Sequence, residues 1–201
     1  MTYNAVVHAK AIDLTRACIE MTAAADLGIR IGRDPNDRAP TRYEDALTSR
    51  QIDSPIEGHP NPAEEFPFFP AATGSLGQVL SVCAWLALGA TLDELDTRYF
   101  CLIGDGESRE GPIWEAVVFI VENQLYSVCP AFNCNAYGQT ARVSNQQPVQ
   151  RKADRLEAAG MQVRQIDGHA PEAIRSTLEQ YVDTADRTGR PLAIVASTIK
   201  G

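Results

Sequence analysis

Short apolar runs alternate along this chain with segments whose apolar residues recur at helical spacing. In one such segment the apolar residues fall at i, i+3, i+4 and i+7, which predicts a helix with one buried face. They are Trp114, Val117, Val118 and Val121. Pro112 suits the first turn of that helix, because the N–H that proline lacks would have no intrahelical partner there. An apolar run stands on each side of the segment, so the expected order is strand, helix, strand.

The same alternation continues along the rest of the chain. It predicts an amphipathic N-terminal helix, a helix that is buried nearly all round, and then strands and helices in turn. The predicted strands cover residues 99–103, 127–133, 161–166 and 192–196, and the predicted helices cover residues 5–25, 76–88, 112–123, 147–159 and 171–188. This order favours an α/β fold with a doubly wound, mainly parallel sheet and helices on both faces.

Length and composition fit one domain. A chain of 201 residues with 44% hydrophobic content can bury a substantial core. We expect three parts within it: an N-terminal helix in residues 1–25, a polar connector in residues 26–48, and the main α/β core in residues 49–201.

The charge balance and the apolar runs exclude some classes of partner. The net charge of −8 leaves no basic stripe for nucleic acid. No apolar run approaches the ~20 residues that a bilayer-spanning helix requires, so no membrane partner is expected. Lys10 and Asp13 interrupt the first apolar pattern, which argues against a signal peptide.

The cysteines indicate the compartment. There are five, an odd number, and none forms a Cys-x-x-Cys pair. They are Cys18, Cys83, Cys101, Cys129 and Cys134. Reduced, buried thiols in a cytoplasmic protein are the simplest interpretation.

Candidate chemistry stands where two predicted strands end. Asp105 and its flanking glycines follow the strand at 99–103, and Asn135 follows the strand at 127–133. A Gly-Asp-Gly tripeptide on its own is usually a turn. Here one right-handed crossover brings both strand ends to the same edge of a sheet, so Asp105 and Asn135 are expected to meet. A carboxylate, a side-chain amide oxygen and a main-chain carbonyl suit Mg²⁺, which indicates half of a site for a divalent cation carrying a diphosphate.

Five ordered blocks of sequence extend this pattern. They are Thr73-Gly74-Ser75-Leu76-Gly77-Gln78, Gly104-Asp105-Gly106-Glu107-Ser108, Glu110-Gly111, Trp114-Glu115-Ala116 and Asn135-Ala136-Tyr137-Gly138-Gln139. In order and spacing they strongly resemble the N-terminal, diphosphate-binding domain of transketolase, a thiamine-diphosphate enzyme. The resemblance extends over residues 49–201, roughly three quarters of the chain, and includes Asp167-Gly168-His169.

The resemblance implies a metal and diphosphate site. Asp105 and the side chain of Asn135 would bind Mg²⁺ (or Ca²⁺), with the carbonyl of Tyr137 as the third protein ligand. The amide of Gly106 would face the diphosphate of the cofactor, thiamine diphosphate.

The resemblance also implies roles for three further residues. Gly74 and Leu76 match positions that line the thiamine rings. Glu110 is the catalytic candidate, because it matches a carboxylate at the subunit contact that couples the two cofactor sites of a dimer. Two simpler interpretations stay open: Leu76 could be plain core, and Glu110 could be a helix-entry charge that the macrodipole favours.

The chain departs from the transketolase pattern in its N-terminal part. Two histidine motifs that surround the cofactor and donor sugar in transketolases, a Ser-Gly-His and a second Gly-His, have no counterpart, so the domain is a shortened one. Val79 stands where glycine is usual and would crowd the cofactor. Asn133 stands where aspartate is usual and lowers the negative charge near the metal.

The implied activity is that of a transketolase-type transferase, which moves a two-carbon ketol unit between sugar phosphates. The pyrimidine-binding domain that activates the cofactor does not fit within 201 residues, so a separate partner subunit is expected, together with self-association. Otherwise the chain is a fragment that binds the cofactor without turnover. The alternatives are a non-catalytic thiamine-diphosphate-binding or scaffold subunit and a 2-oxoacid dehydrogenase-type subunit. The block around Trp114 and the Asn135 block favour transketolase over the dehydrogenase.

Overall fold

The structure is a computed structural model that describes residues 5–9, 75–138, 141–144, 148–184 and 189–199, with backbone alone for residues 5–9 and 182–184. Five strands and four α-helices lie within these ranges. They are β1 (Ala5–Ala9), α1 (Val79–Leu92), β2 (Arg98–Gly104), α2 (Gly111–Glu122), β3 (Val128–Cys134), α3 (Val149–Ala158), β4 (Gln162–Asp167), α4 (Pro171–Thr184) and β5 (Leu192–Ser197), with a short 3₁₀ helix (Glu107–Arg109) between β2 and α2.

The strands form one sheet in the order β1-β2-β3-β5-β4. β2, β3, β5 and β4 run parallel, and β1 pairs antiparallel with β2 at the edge. This arrangement confirms the predicted α/β fold with a mainly parallel sheet.

Helices cover both faces of the sheet. Successive side chains of a strand point to opposite faces, so neighbouring residues of β2 pack against different helices. On one face, Cys101 and Ile103 of β2 join a core cluster with residues of α1, α2 and α3. On the other face, Phe100 of β2 packs with Leu178 and Tyr181 of α4. The ring centroids of Phe100 and Tyr181 are 5.7 Å apart in an edge-to-face contact.

The N-terminal helix prediction is wrong for its first residues. Ala5–Ala9 form β1, with Val7 opposite Phe100. Val6 and Val7 are β-branched, which favours a strand, and the edge of β2 offers backbone groups to pair with. Residues 10–25 of the predicted helix and the connector at 26–48 lie outside the described residues.

α1 begins at Val79 rather than at 76, because Gly77 has a φ of +86°, which a helix does not accommodate. The bounds of the other predicted strands and helices agree with the structure to within a few residues. Among the described helices, none has both the length and the apolar character that crossing a membrane requires.

Candidate functional site

Asp105 and the residues that follow β3 meet at one edge of the sheet, as the crossover predicts. Gly104 pairs with Asn133 in the register of β2 and β3, so the chain leaves both strands side by side. The backbone N–H of Ala136 donates to Oδ2 of Asp105 at 2.6 Å. This hydrogen bond joins the two loops across 31 positions of sequence.

The loop after β3 is closed by its own hydrogen bonds. Oδ1 of Asn135 accepts the N–H of Tyr137 at 2.9 Å, and the N–H of Gly138 donates to the carbonyl of Ala141 at 2.8 Å. Ala136 has a φ of +64°, an uncommon conformation for a residue with a side chain. Such strain persists where neighbouring contacts fix it, and here the bond to Asp105 is one of those contacts.

Gly106 lets the two loops approach closely. A Cβ at this position would lie 3.4 Å from Cα of Gly138, at the near limit of ordinary van der Waals contact. The loop after β2 and the loop after β3 therefore leave room for little more than a methyl group at Gly106.

Lys152 is a site residue that sequence reasoning missed. Its ammonium donates to Oδ1 of Asp105, and the side chains of both residues are only 1% exposed. Nζ also donates to Sγ of Cys134 at 3.4 Å and lies 5.9 Å from the ring centroid of Phe132. A buried carboxylate requires a compensating charge, and Lys152 supplies one to Asp105.

The spacing within α3 carries the signal that could have found Lys152. Val149, Lys152, Ala153 and Leu156 stand at i, i+3, i+4 and i+7. Three of these positions hold apolar residues, and Lys152 is the charged member of the stripe that faces the core.

Glu107 links the loop before α1 to the loop after β2. Its Oε1 accepts the N–H of Gly77 at 2.9 Å, and its side chain is buried. Burial raises the pKa of Glu107 to about 7; the nearby Glu110 carboxylate raises it further, whereas the N–H groups of Gly77 and Gly104 lower it. Two of the sequence blocks are therefore in direct contact.

Glu110 lies at the start of α2, half-buried and next to Gly77. A Cβ at Gly77 would lie 2.6 Å from Cβ of Glu110, so the backbone of Gly77 packs closely against the Glu110 side chain. The Glu110 side chain makes no capping hydrogen bond to α2. Its position is the one that the helix-entry interpretation requires, and it also leaves the carboxylate half-exposed for a subunit contact.

Of the two residues expected at the thiamine rings, one is described. Leu76 is 58% exposed, so the plain-core alternative is wrong. A hydrophobic side chain that is exposed next to the site is available to contact a ring. Gly74 lies outside the described residues.

Trp114 packs the first turn of α2 against α3. Its Nε1 donates to the carbonyl of Ser108 at 3.0 Å, and Cζ of Arg155 lies 3.6 Å from its ring centroid. The rings of Trp114 and Phe132 are stacked, with their centroids 6.5 Å apart. These contacts hold the loop that carries Asp105 and Glu107 between two helices.

His169 is bound to the end of β5. Its Nε2 accepts the N–H of Ile199 at 2.8 Å, and the N–H of Gly168 donates to the carbonyl of Ser197 at 2.8 Å. A Cβ at Gly168 would lie 2.4 Å from Cγ2 of Thr198. The Asp167-Gly168-His169 block therefore packs against the end of β5.

The oxygens at the site suit a hard divalent cation by type. Asp105 offers a carboxylate, Asn135 an amide oxygen and Tyr137 a main-chain carbonyl, all on two joined loops. Within the described residues, three or more His, Cys, Asp or Glu side chains do not cluster as metal ligands would. In the structure, Lys152 provides the positive charge at Asp105.

Comparison with known sequences gives the family. A family model described as the XFP N-terminal domain matches residues 56–188. Transketolase-like protein 2 from Bos taurus is 38% identical over 158 residues, which are 78% of this chain and 24% of that protein. Transketolase from Mus musculus is 35% identical over 156 residues, with 77% of this chain and 24% of that protein covered.

A shorter relative is the 6-deoxy-6-sulfo-D-fructose transketolase subunit SqwG from Clostridium sp. (strain MSTE9). It is 37% identical over 130 residues, which cover 64% of this chain and 46% of that protein. The chain thus spans about a quarter of the length of the two longer relatives and about half of the length of the subunit.

Solved structures agree with the fold. The crystal structure of transketolase from Campylobacter jejuni has a TM-score of 0.62 at 28% identity, covering 77% of this chain and 24% of that chain. A transketolase mutant from Pichia stipitis has a TM-score of 0.64 at 22% identity, covering 78% and 24%, and supports the fold alone. Since the family model matches more than half of the 201 residues, the chain belongs to the XFP N-terminal domain family and is an N-terminal domain of transketolase type.

Proposed function

We propose that this chain is the diphosphate-binding half of a transketolase-like enzyme that transfers a two-carbon ketol unit between sugar phosphates. The hydrogen bond from the N–H of Ala136 to Asp105 carries the proposal, because it joins the two blocks that would hold the cofactor's diphosphate. The transketolase family implies thiamine diphosphate and a divalent metal as cofactors.

Asp105, the side chain of Asn135 and the carbonyl of Tyr137 would hold the metal, Mg²⁺ or Ca²⁺. These ligands have the oxygen chemistry that such ions prefer. The N–H of Gly106 would face the diphosphate. When bound, the metal supplies positive charge to the diphosphate, so the protein's part at this edge is to position oxygens and exclude water.

Gly74 and Leu76 would contact the thiamine rings. The exposed side chain of Leu76 supports this role, since it leaves an apolar surface beside the loop of Gly77. Thiamine diphosphate supplies the electron sink of the reaction, whereas this chain supplies binding and orientation.

A partner subunit would supply the pyrimidine-binding domain. The relative from Clostridium sp. is named a subunit, which supports a divided enzyme. Glu110 would lie at the contact with a second chain and couple the cofactor sites, so self-association is part of the proposal. Its half-exposed place at the start of α2 is compatible with such a contact.

The buried thiols support a cytoplasmic location. The side chains of Cys83, Cys101, Cys129 and Cys134 are buried. Buried cysteines of this kind are typical of proteins in reducing compartments.

A second candidate function is a non-catalytic thiamine-diphosphate-binding or scaffold subunit. The contact between Lys152 and Asp105 favours it, because the carboxylate is already neutralised by an internal charge. A 2-oxoacid dehydrogenase-type subunit is a third candidate, which the transketolase names of the relatives above disfavour.

The deciding experiment mixes the full chain with a candidate pyrimidine-domain subunit, thiamine diphosphate, Mg²⁺, a ketose phosphate donor and an aldose phosphate acceptor. Ketol transfer that is lost in Asp105→Asn and kept in the exposed control Asp96→Asn is the expected result. Binding of thiamine diphosphate without transfer in every pairing supports the scaffold function. Absence of binding, alone and in every pairing, overturns the transferase function and leaves only a scaffold that does not bind the cofactor.

A further inference from the structure

We infer that Lys152 is a resident counter-ion that competes with the divalent metal for Asp105. The inference rests on the proposed function, since it concerns the same metal site. It starts from the buried contact between the Lys152 ammonium and Oδ1 of Asp105.

Both oxygens of Asp105 are engaged. Oδ2 accepts the N–H of Ala136 at 2.6 Å, and Oδ1 accepts the Lys152 ammonium. A metal could coordinate Asp105 through a remaining lone pair, but it would then lie close to both donors, one of which carries a positive charge. The Ala136 bond belongs to a backbone loop with further hydrogen bonds of its own, whereas Lys152 is a long side chain with rotatable bonds. The ammonium is therefore the group that a metal displaces.

Repulsion makes this displacement necessary. Two cations cannot share one buried carboxylate at low cost, because like charges a few ångströms apart repel strongly where water is excluded. The side chains of Asp105 and Lys152 are each only 1% exposed, so solvent does little to screen the charges. Binding of the metal and departure of the ammonium from Asp105 are thus one exchange of cations.

The surroundings show what holds Lys152 in place before the exchange. The side chain lies on the core-facing stripe of α3 between Val149 and Leu156, and its Nζ contacts Sγ of Cys134 at 3.4 Å. A buried ammonium is expensive without an anion, and Asp105 is the carboxylate that it contacts. The exchange therefore weakens metal affinity and couples metal binding to movement of the Lys152 side chain.

Mn²⁺ alone is a suitable probe, because it shares the oxygen preference of Mg²⁺ and its free concentration can be read by electron paramagnetic resonance. The full chain is titrated as wild type, Lys152→Met, Asp105→Asn and the double variant. We expect Lys152→Met to bind Mn²⁺ about tenfold more tightly than wild type, because no ammonium has to leave. Asp105→Asn should abolish this binding in both backgrounds.

Arg151→Met is the matched control, since it removes the same charge from the exposed neighbouring position of α3. Its Mn²⁺ affinity should stay within about twofold of wild type, as expected for an exposed charge in salt. A tightening in Arg151→Met equal to that in Lys152→Met would mean a general charge effect and would overturn the inference.

Two other outcomes distinguish a failure of this inference from a failure of the proposed metal site. Equal Mn²⁺ affinity of wild type and Lys152→Met, with loss in Asp105→Asn, overturns the competition while keeping Asp105 as a metal ligand. Binding that survives Asp105→Asn in both backgrounds overturns the competition together with the proposed metal site.

A measurement on the wild-type chain removes any dependence on the folding of Lys152→Met. The sequence has three lysines, Lys10, Lys152 and Lys200, so nitrogen NMR of the side-chain ammonium groups gives few signals to assign. Saturating Mg²⁺ should shift the Lys152 signal and spare the other two. An unmoved Lys152 signal at Mg²⁺ saturation overturns the exchange.

Discussion

Gly77 donates its backbone N–H to Oε1 of Glu107, 30 positions further along the chain, at 2.9 Å. The contact brings the loop that precedes α1 onto the short 3₁₀ helix that follows Asp105. The side that would meet the thiamine rings and the side that would meet the metal are therefore held together by one buried carboxyl group.

Gly77→Ala should destabilise the chain. The φ of +86° disfavours any side chain, and the new Cβ would lie 2.6 Å from Cβ of Glu110. We expect a loss of about 1–3 kcal/mol in the free energy of unfolding, measured by chemical denaturation. Gly89→Ala is the control: Gly89 lies within α1 with open space around it, so alanine should stabilise by about 0.5–1 kcal/mol. Equal effects of the two substitutions would contradict the close contact at Gly77.

Glu107 should make stability depend on pH. Burial raises its pKa from 4.5 to about 7. Between these two pH values the carboxyl group of Glu107 keeps its proton in the folded chain and has lost it in the unfolded chain. The contribution of Glu107 to the free energy of unfolding should therefore fall as the pH rises from its pKa in the unfolded chain through its pKa in the folded chain, and then level off. Between about pH 5 and about pH 8 the wild type should lose at most about 3 kcal/mol more than Glu107→Gln, which keeps an acceptor for Gly77. If the free energy of unfolding changes with pH in the same way in the wild type and in Glu107→Gln, the raised pKa of Glu107 is refuted.

The meeting of Asp105 with the Asn135 loop could be predicted from sequence because it depends on local order. A strand, a helix and a strand of the right lengths bring two strand ends to one edge, whatever lies elsewhere. β1 could not be predicted in this way, since Ala5–Ala9 pair with β2 far along the chain. Lys152 was missed for a similar reason: its spacing marks the core face of α3, but only the folded structure places Asp105 opposite it.

Asp105→Ala and Asn135→Ala should differ in stability while both weakening cofactor uptake. Asp105→Ala leaves the buried Lys152 ammonium without its carboxylate, which should cost about 3–5 kcal/mol. Asn135→Ala removes the acceptor for one backbone N–H at a half-buried site, so about 1 kcal/mol is expected. Thermal denaturation reports the stabilities, and calorimetry with thiamine diphosphate and Mg²⁺ reports the uptake. The opposite order of stabilities would mean that the buried ion pair does not compensate Lys152.

The four described cysteines should resist modification in the folded chain. Burial raises the pKa of Cys134 to about 11 and raises the pKa of Cys101 well above its ordinary value. Thiolates are the reactive species, so Ellman's reagent should react slowly with these thiols until the protein unfolds. The test uses Cys18→Ser, because Cys18 lies outside the described residues. Rapid release of colour by the native variant would show that at least one of the four is accessible.

Glu110→Gln should spare metal binding and damage assembly or activation. The residue lies at the start of α2, where it contacts Gly77 and makes no bond to the loop of Asn135 among the described contacts. Mn²⁺ affinity of the free chain should therefore stay within about twofold of wild type. Self-association, followed by sedimentation, or ketol transfer with the partner subunit should fall by about tenfold or more if the carboxylate serves the contact between cofactor sites. Glu122→Gln, at the exposed opposite end of the same helix, is the matched control and should change neither quantity. If Glu110→Gln leaves self-association and ketol transfer unchanged, as Glu122→Gln does, the role of Glu110 at a subunit contact is refuted.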